Sequence, residues 1–128
     1  MSRANQFFLK FIGLKDGSHK FEYDLDNSFF VSHDYSDFNS CDIKVKIELV
    51  KKTTVLELNI IGSGLANINC TLSNEPFDFE VNSKMKLLLK FGDKYDDSND
   101  ELIILPHGSH TVELDQFLYE MIVLSMPI

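Results

Sequence analysis

The chain of 128 residues has no tryptophan, two cysteines, three prolines and six glycines, and beyond residue 92 its only basic residue is Lys94. Each shortage removes a class of protein. Two cysteines cannot build the staple pattern of a small secreted domain, so Cys41 and Cys70 are expected to be reduced thiols. No apolar run approaches the roughly 18 residues that a membrane span requires, and no basic start followed by an apolar stretch marks a signal peptide. The cytoplasm is therefore the expected compartment, with no membrane partner. No internal repeat, heptad pattern or long linker divides the chain.

What is present suffices for a core. Hydrophobic residues make up 44% of the chain and eleven of them are Phe, and a chain of this length buries about two thirds of its unfolded surface without metal or disulfide staples. One domain over residues 1–128 is expected. The net charge of −8 is unevenly spread: residues 1–92 carry eleven Lys/Arg against twelve Asp/Glu, a net of −1, whereas residues 93–128 set Lys94 against eight acids, a net of −7. The acidity belongs to the last third, and the remainder could still present a basic face.

Periodicity predicts a mainly antiparallel β domain. Phe7 to Ile12 reads as a short strand, and the glycines of Gly13 to Ser18 suit a turn into His19 to Leu25, where His19, Phe21, Tyr23 and Leu25 alternate with Lys20, Glu22 and Asp24. These two strands are expected to form a hairpin. Asp26 to Asp42 contains the apolar Phe29-Phe30-Val31, but Ser32 to Asp42 is rich in Ser, Asp and Asn and predicts an excursion away from the core. Ile43, Val45, Ile47 and Leu49 then alternate with Lys44, Lys46 and Glu48, and after Lys51 to Thr54 the strand Val55 to Ile61 returns with Leu56, Leu58 and Ile60 on one face. Gly62-Ser63-Gly64 is expected to break that strand before a further one from Leu65 to Leu72, with Cys70 on its apolar side. Phe77 to Phe91 predicts one long or bulged strand, Asp93 to Glu101 an acidic solvated loop, and Leu102 to Leu105 a short strand ended by Pro106. Leu114, Phe117, Leu118, Met121 and Ile122 fall at helical spacing. Thr111 is the expected N-cap, Glu113 and Asp115 suit the positive end of the helix dipole, and Pro127 would stop the helix. The fold class is α+β, a twisted or barrel-like sheet with one C-terminal helix packed on it.

Several motifs invite chemistry and lack the rest of its machinery. Gly62-Ser63-Gly64 follows a strand, but Asn67 stands where a dinucleotide fingerprint needs its third glycine and the next segment alternates like a strand. A calcium loop begun at Asp96 would place Glu101 where the sharp turn needs glycine. His33-Asp34, near Ser32 and Ser36, has no nucleophile-elbow context. His107 and His110 could join Cys70 in a metal or redox site, yet no second ligand cluster accompanies them. No acid/base pair, activated nucleophile or phosphate-binding loop assembles, so the expectation is a binding module with no cofactor and no small-molecule substrate.

Asn69-Cys70-Thr71-Leu72-Ser73-Asn74-Glu75-Pro76-Phe77 resembles the turn of the YceD family, the large ribosomal RNA subunit accumulation proteins, in which a Cys-x-Arg-Cys turn is followed by a Phe and a strand. Downstream, an acidic loop precedes a helix entered at Val112-Glu113-Leu114-Asp115 and left at Val123-Leu124-Ser125-Met126-Pro127, similar to the family's Leu-Ser-Leu-Pro phrase. Gly13-Leu14-Lys15-Asp16-Gly17 and Phe21-Glu22-Tyr23 resemble the Bacteroidetes-type branch. Leu72 stands at the family's arginine and Ser73 at its second cysteine, so the dithiol option is lost at this turn. Many members also continue past the Leu-Pro phrase into a segment with further cysteines, where this chain has Ile128.

The resemblance implies a non-enzymatic accessory factor in ribosome biogenesis, supporting accumulation of large-subunit RNA by binding ribosomal RNA, a large-subunit ribosomal protein, or both. For RNA, the expected surface joins a stripe of Lys44, Lys46 and Lys52 to the turn bearing Asn69, Cys70 and Ser73. For a basic protein, the expected contact is the acidic group Asp96, Asp97 and Asp100.

Overall fold

Isoleucine and valine at alternate positions favour an extended chain with one oily face, because branched side chains fit the pleat and are stiff at χ1. The computed structural model describes residues 8–99 and 101–126, so expectations that fall on Phe7, Asp100 and Pro127 lie outside the described residues. The elements in order are β1 (Phe8–Lys10), β2 (Gly17–Asp26), α1 (Asn27–Val31), β3 (Ser40–Lys51), β4 (Val55–Asn69), β5 (Pro76–Gly92), β6 (Asp96–Asn99), β7 (Leu102–Pro106), β8 (Thr111–Glu113) and α2 (Asp115–Leu124). Six strands form one sheet in the order β2-β3-β4-β5-β7-β6, and β1 and β8 form a separate pair. The sheet is antiparallel except where β7 runs parallel to β5, with β6 turned back along β7's outer edge. It is α+β and open, since β2 and β6 are edges and do not close a barrel.

The inward rows are those that the alternation marks. Ile43, Val45, Ile47 and Leu49 of β3, Leu56, Leu58 and Ile60 of β4, and Leu87 and Leu89 of β5 are all buried. Leu114, Leu118, Met121 and Ile122 of α2 are buried with them, and Ser83 of β5 donates its hydroxyl to the Met121 carbonyl at 3.2 Å. Among the described residues no helix is long and apolar enough to cross a membrane.

Five expectations are corrected. Gly62-Ser63-Gly64 does not break the chain: β4 runs unbroken through it and pairs with both neighbours. The glycines serve close approach instead. A Cβ on Gly62 would lie 2.9 Å from Ile122 Cδ1 of α2, and one on Gly64 would lie 2.1 Å from the Asp42 carbonyl oxygen of β3. The first hairpin is also absent. β2 matches β3 over its whole length, while β1 pairs with β8 and its exit is fixed where the Phe11 and Ile12 N–H groups donate to the His110 carbonyl at 3.1 and 3.3 Å. Thr111 is consequently a strand residue, and Leu114 is the N-cap of α2 with no side-chain cap bond.

The fourth correction concerns Ser32 to Asp42, which is returned to the core at Phe38 rather than led away from it. Asp26 caps α1 by accepting from the Phe29 N–H, and Phe29, Phe30 and Phe38 are buried. Phe30 stands edge-on to Phe38 at 4.8 Å between centroids, and His33 stacks on Tyr119 of α2 at 4.7 Å. Aromatic pairing outweighs the polar composition of that segment. Finally, the acidic loop contains a strand, β6, paired with β7 at the sheet edge.

Candidate partner-binding groove

The C-terminal helix carries two stripes. One is the buried stripe described above. The other comprises Gln116, Phe117, Glu120, Met121 and Leu124, again at steps of three and four residues, and it faces a groove of about 550 Å³ completed by Glu113 of β8 and by Met85, Tyr95, Asp97 and Asn99. Phe117, Met121, Met85 and Leu124 give the groove apolar contact surface; Leu124 is 83% exposed. Asp97, Glu113 and Glu120 supply three carboxylates, and no Lys or Arg is among the described residues that line it.

The electrostatics are those of acids crowded together. Burial, then the Asp115 charge and hydrogen bond, raise the Glu113 pKa above the ordinary glutamate value, with His33 opposing. His33 reaches Asp115 at 3.5 Å, and the other oxygen of that carboxylate, Oδ1, is buried without a hydrogen-bond partner. Tyr95 donates to Asp97 at 3.3 Å, and burial followed by the Asp97 and Glu113 charges raises its pKa. Asp96 lies outside the groove and is held below the usual aspartate range by the Ser98 hydroxyl and N–H. Of the two described acids singled out from sequence as a partner surface, Asp96 and Asp97, Asp97 lines the groove. Tyr95, Glu113 and Glu120 were not among them. The signal for Glu120 was the second i, i+3, i+4 stripe on α2; Glu113 comes from β8 and had no such signal.

The lysines fall elsewhere. Lys44 and Lys46 stand directly across β2–β3 from Asp24 and Glu22, with Lys44 reaching Asp24 at 4.0 Å. Lys52 lies beyond the far end of β3 and shares Glu57 with Lys86, at 3.3 and 3.2 Å. The bonds from Lys86 and then Lys52 lower the Glu57 pKa. The turn after Asn69 is at the other end of β4 from Lys52, so Lys52 is separated from Asn69, Cys70 and Ser73 by the length of that strand.

That turn is tightly made. The Cys70 N–H donates to the Glu75 carbonyl and the Asn74 N–H to the Cys70 carbonyl, each at 2.8 Å. Asn69 accepts from Asn39, which also donates to Asn67, both at 2.9 Å. Cys70 is half-buried rather than a core residue, and the Ser73 and Leu72 N–H groups with the Ser73 hydroxyl lower its pKa. Cys41 is also a free thiol, pushed up to about 11 by burial and then by Asp26 and Asp42. His107 donates its N–H to Gly92 at the opposite end of β5 from the Cys70 turn, so Cys70 and His107 are not brought together. Among the described residues no three His, Cys, Asp or Glu side chains are grouped to hold a metal ion.

No known protein family, curated protein or solved structure matches the chain.

Proposed function

We propose that the protein acts by binding, and that its partner is a basic protein segment with apolar side chains, held in the groove between α2 and the β6 edge. The observation that carries this reading is the composition of the groove: three carboxylates beside Phe, Met and Leu side chains, with no Lys or Arg among the described residues that line it. A Lys- or Arg-bearing segment would set its charges against Asp97, Glu113 and Glu120 while its apolar residues cover Phe117 and Leu124. Charge sets the encounter rate and the register, and apolar burial supplies most of the affinity. In the setting implied by the resemblance to YceD proteins, the partner is a large-subunit ribosomal protein and the role is that of a non-enzymatic accessory factor in ribosome biogenesis. A basic ribosomal protein would find opposite charge and apolar contact surface together in this groove.

The test is binding of large-subunit ribosomal proteins to the chain and to its Asp97→Asn/Glu120→Gln variant. Both positions are exposed, so the fold is expected to persist. The reading expects a slower association and a dissociation constant raised about tenfold, for two lost charge contacts of roughly 0.7 kcal/mol each. Equal rates for both proteins would remove it.

A further inference from the structure

At the opposite end of β5 from the Cys70 turn, four separate segments meet around a second hollow, of about 330 Å³. The β3–β4 turn brings Lys51, Lys52, Thr53 and Thr54; β5 brings Phe91; the turn after β7 brings His107 and Ser109; and the exit of β1 brings Phe11 and Ile12. The charge of this hollow is opposite to that of the chain. Among the described residues that line it there is no Asp or Glu, although the chain carries a net −8.

The cations are held in place. Lys51 donates one N–H to the Leu14 carbonyl at 2.6 Å, which leaves two of the three ammonium donors for another group. Lys52 and Lys86 share the single charge of Glu57, so that cluster retains a positive charge. The walls are fixed as well: the Lys52 N–H closes the turn onto Val55 at 3.0 Å, and the His107 N–H closes onto Gly92 at 3.0 Å. Beside these polar groups lies apolar surface. Phe91 is 37% and Ile12 46% exposed, and Phe91 packs on the buried Phe11 at 5.8 Å between centroids.

We propose that this hollow is a binding site for a nucleoside phosphate, free or at the end of an RNA strand, with the phosphate at Lys51, Lys52 and His107 and the base against Phe91 and Ile12. Two ammonium groups, the Thr53 and Thr54 hydroxyls and the His107 imidazole suit a phosphate, the Ser109 hydroxyl being spent on the Pro106 carbonyl at 2.6 Å. An exposed aromatic edge beside them suits a flat ring. The site uses no residue of the acidic groove, so it stands or falls apart from the proposed protein partner.

The experiment is amide NMR of the full chain titrated with inorganic phosphate, a nucleoside 5′-monophosphate and a short 5′-phosphorylated oligoribonucleotide, at low and moderate salt. The expected result is saturable shifts at 51–55 and 107–109, stronger for the nucleotide than for phosphate and weaker at higher salt. Lys52→Gln, which leaves the Lys51 bond intact, and Lys51→Gln/Lys52→Gln lose affinity by about three- and tenfold; Ile12→Ser reduces the preference for nucleotide over phosphate. Lys84→Gln, an exposed change on β5 outside the hollow, has no effect. An oligonucleotide that binds tighter than the monophosphate assigns the site to RNA ends, and equal affinities assign it to the free nucleotide. Absence of saturable shifts with both, equal affinity for phosphate and nucleotide, or an equal loss in Lys84→Gln overturns the proposal.

Discussion

Cys70 and Cys41 have opposite surroundings, and their reactivities follow. Cys70 has N–H and hydroxyl donors aimed at its sulfur, which stabilise the thiolate, whereas Cys41 is desolvated beside two carboxylates that oppose it. Cys41 at about 11, against an ordinary 9.0, has on the order of a hundredfold less thiolate at neutral pH than an unperturbed thiol. Limited alkylation of the folded chain followed by mass spectrometry should therefore label Cys70 first, and equal labelling would contradict the assigned surroundings. Glu113 gives a second residue-scale test. Its raised pKa means that the folded chain holds this proton to higher pH than the unfolded chain, so its contribution to stability is present at low pH and declines as pH rises above the ordinary glutamate value. A cation in the groove favours the ionised form. Affinity for a cationic segment should thus climb with pH through that same window, and Glu113→Gln should flatten the climb.

At the scale of elements, the pairing of β3 with β4 and the seating of α2 depend on two missing side chains. Gly64→Ala drives a Cβ into the Asp42 backbone, which cannot yield without breaking the pairing, so a loss of more than about 3 kcal/mol is expected by thermal or denaturant unfolding. Gly62→Ala meets only the flexible ends of Ile122 and Met121 and should cost clearly less; equal costs would mean the β3–β4 approach is misread. These glycines also show why parts of the fold were not legible. Period-two alternation located β2, β3, β5 and the first half of β4, because each buries one face. A glycine pair looks like a turn in sequence, and only the neighbouring strand and helix show that it marks close approach. Phe38 sits in a polar segment whose composition speaks for a loop, and it is buried against Phe30, which in turn packs on Tyr119, remote in sequence. Thr111 could not be distinguished from a cap without β1 beside it. The groove was half legible: its acids were visible as a charge excess, but the helix stripe that joins Glu120 to Phe117 and Leu124 was hidden beneath the core stripe next to it, and Glu113 reaches the groove from β8.

For the whole molecule, charge is sorted by place. The outer face of β2 and β3 alternates signs across strands, with Lys20 facing Glu48, Glu22 facing Lys46 and Asp24 facing Lys44, so each of these lysines stands opposite a carboxylate. Two hollows are lined by charge of one sign among the described residues, the acidic groove on α2 and the lysine-lined hollow at the β3–β4 turn. Two such sites on one small sheet fit a protein that holds a basic segment at one place and a phosphate at another. The central claim is the groove, and the most direct measurement is methyl and amide NMR of the chain with a short Lys- and Leu-rich peptide. The account predicts saturable shifts centred on Met85, Phe117, Met121 and Leu124 and on the Asp97 and Glu120 amides, lost in Asp97→Asn/Glu120→Gln. Shifts centred instead on the outer sheet face, or unchanged in that variant, would contradict it.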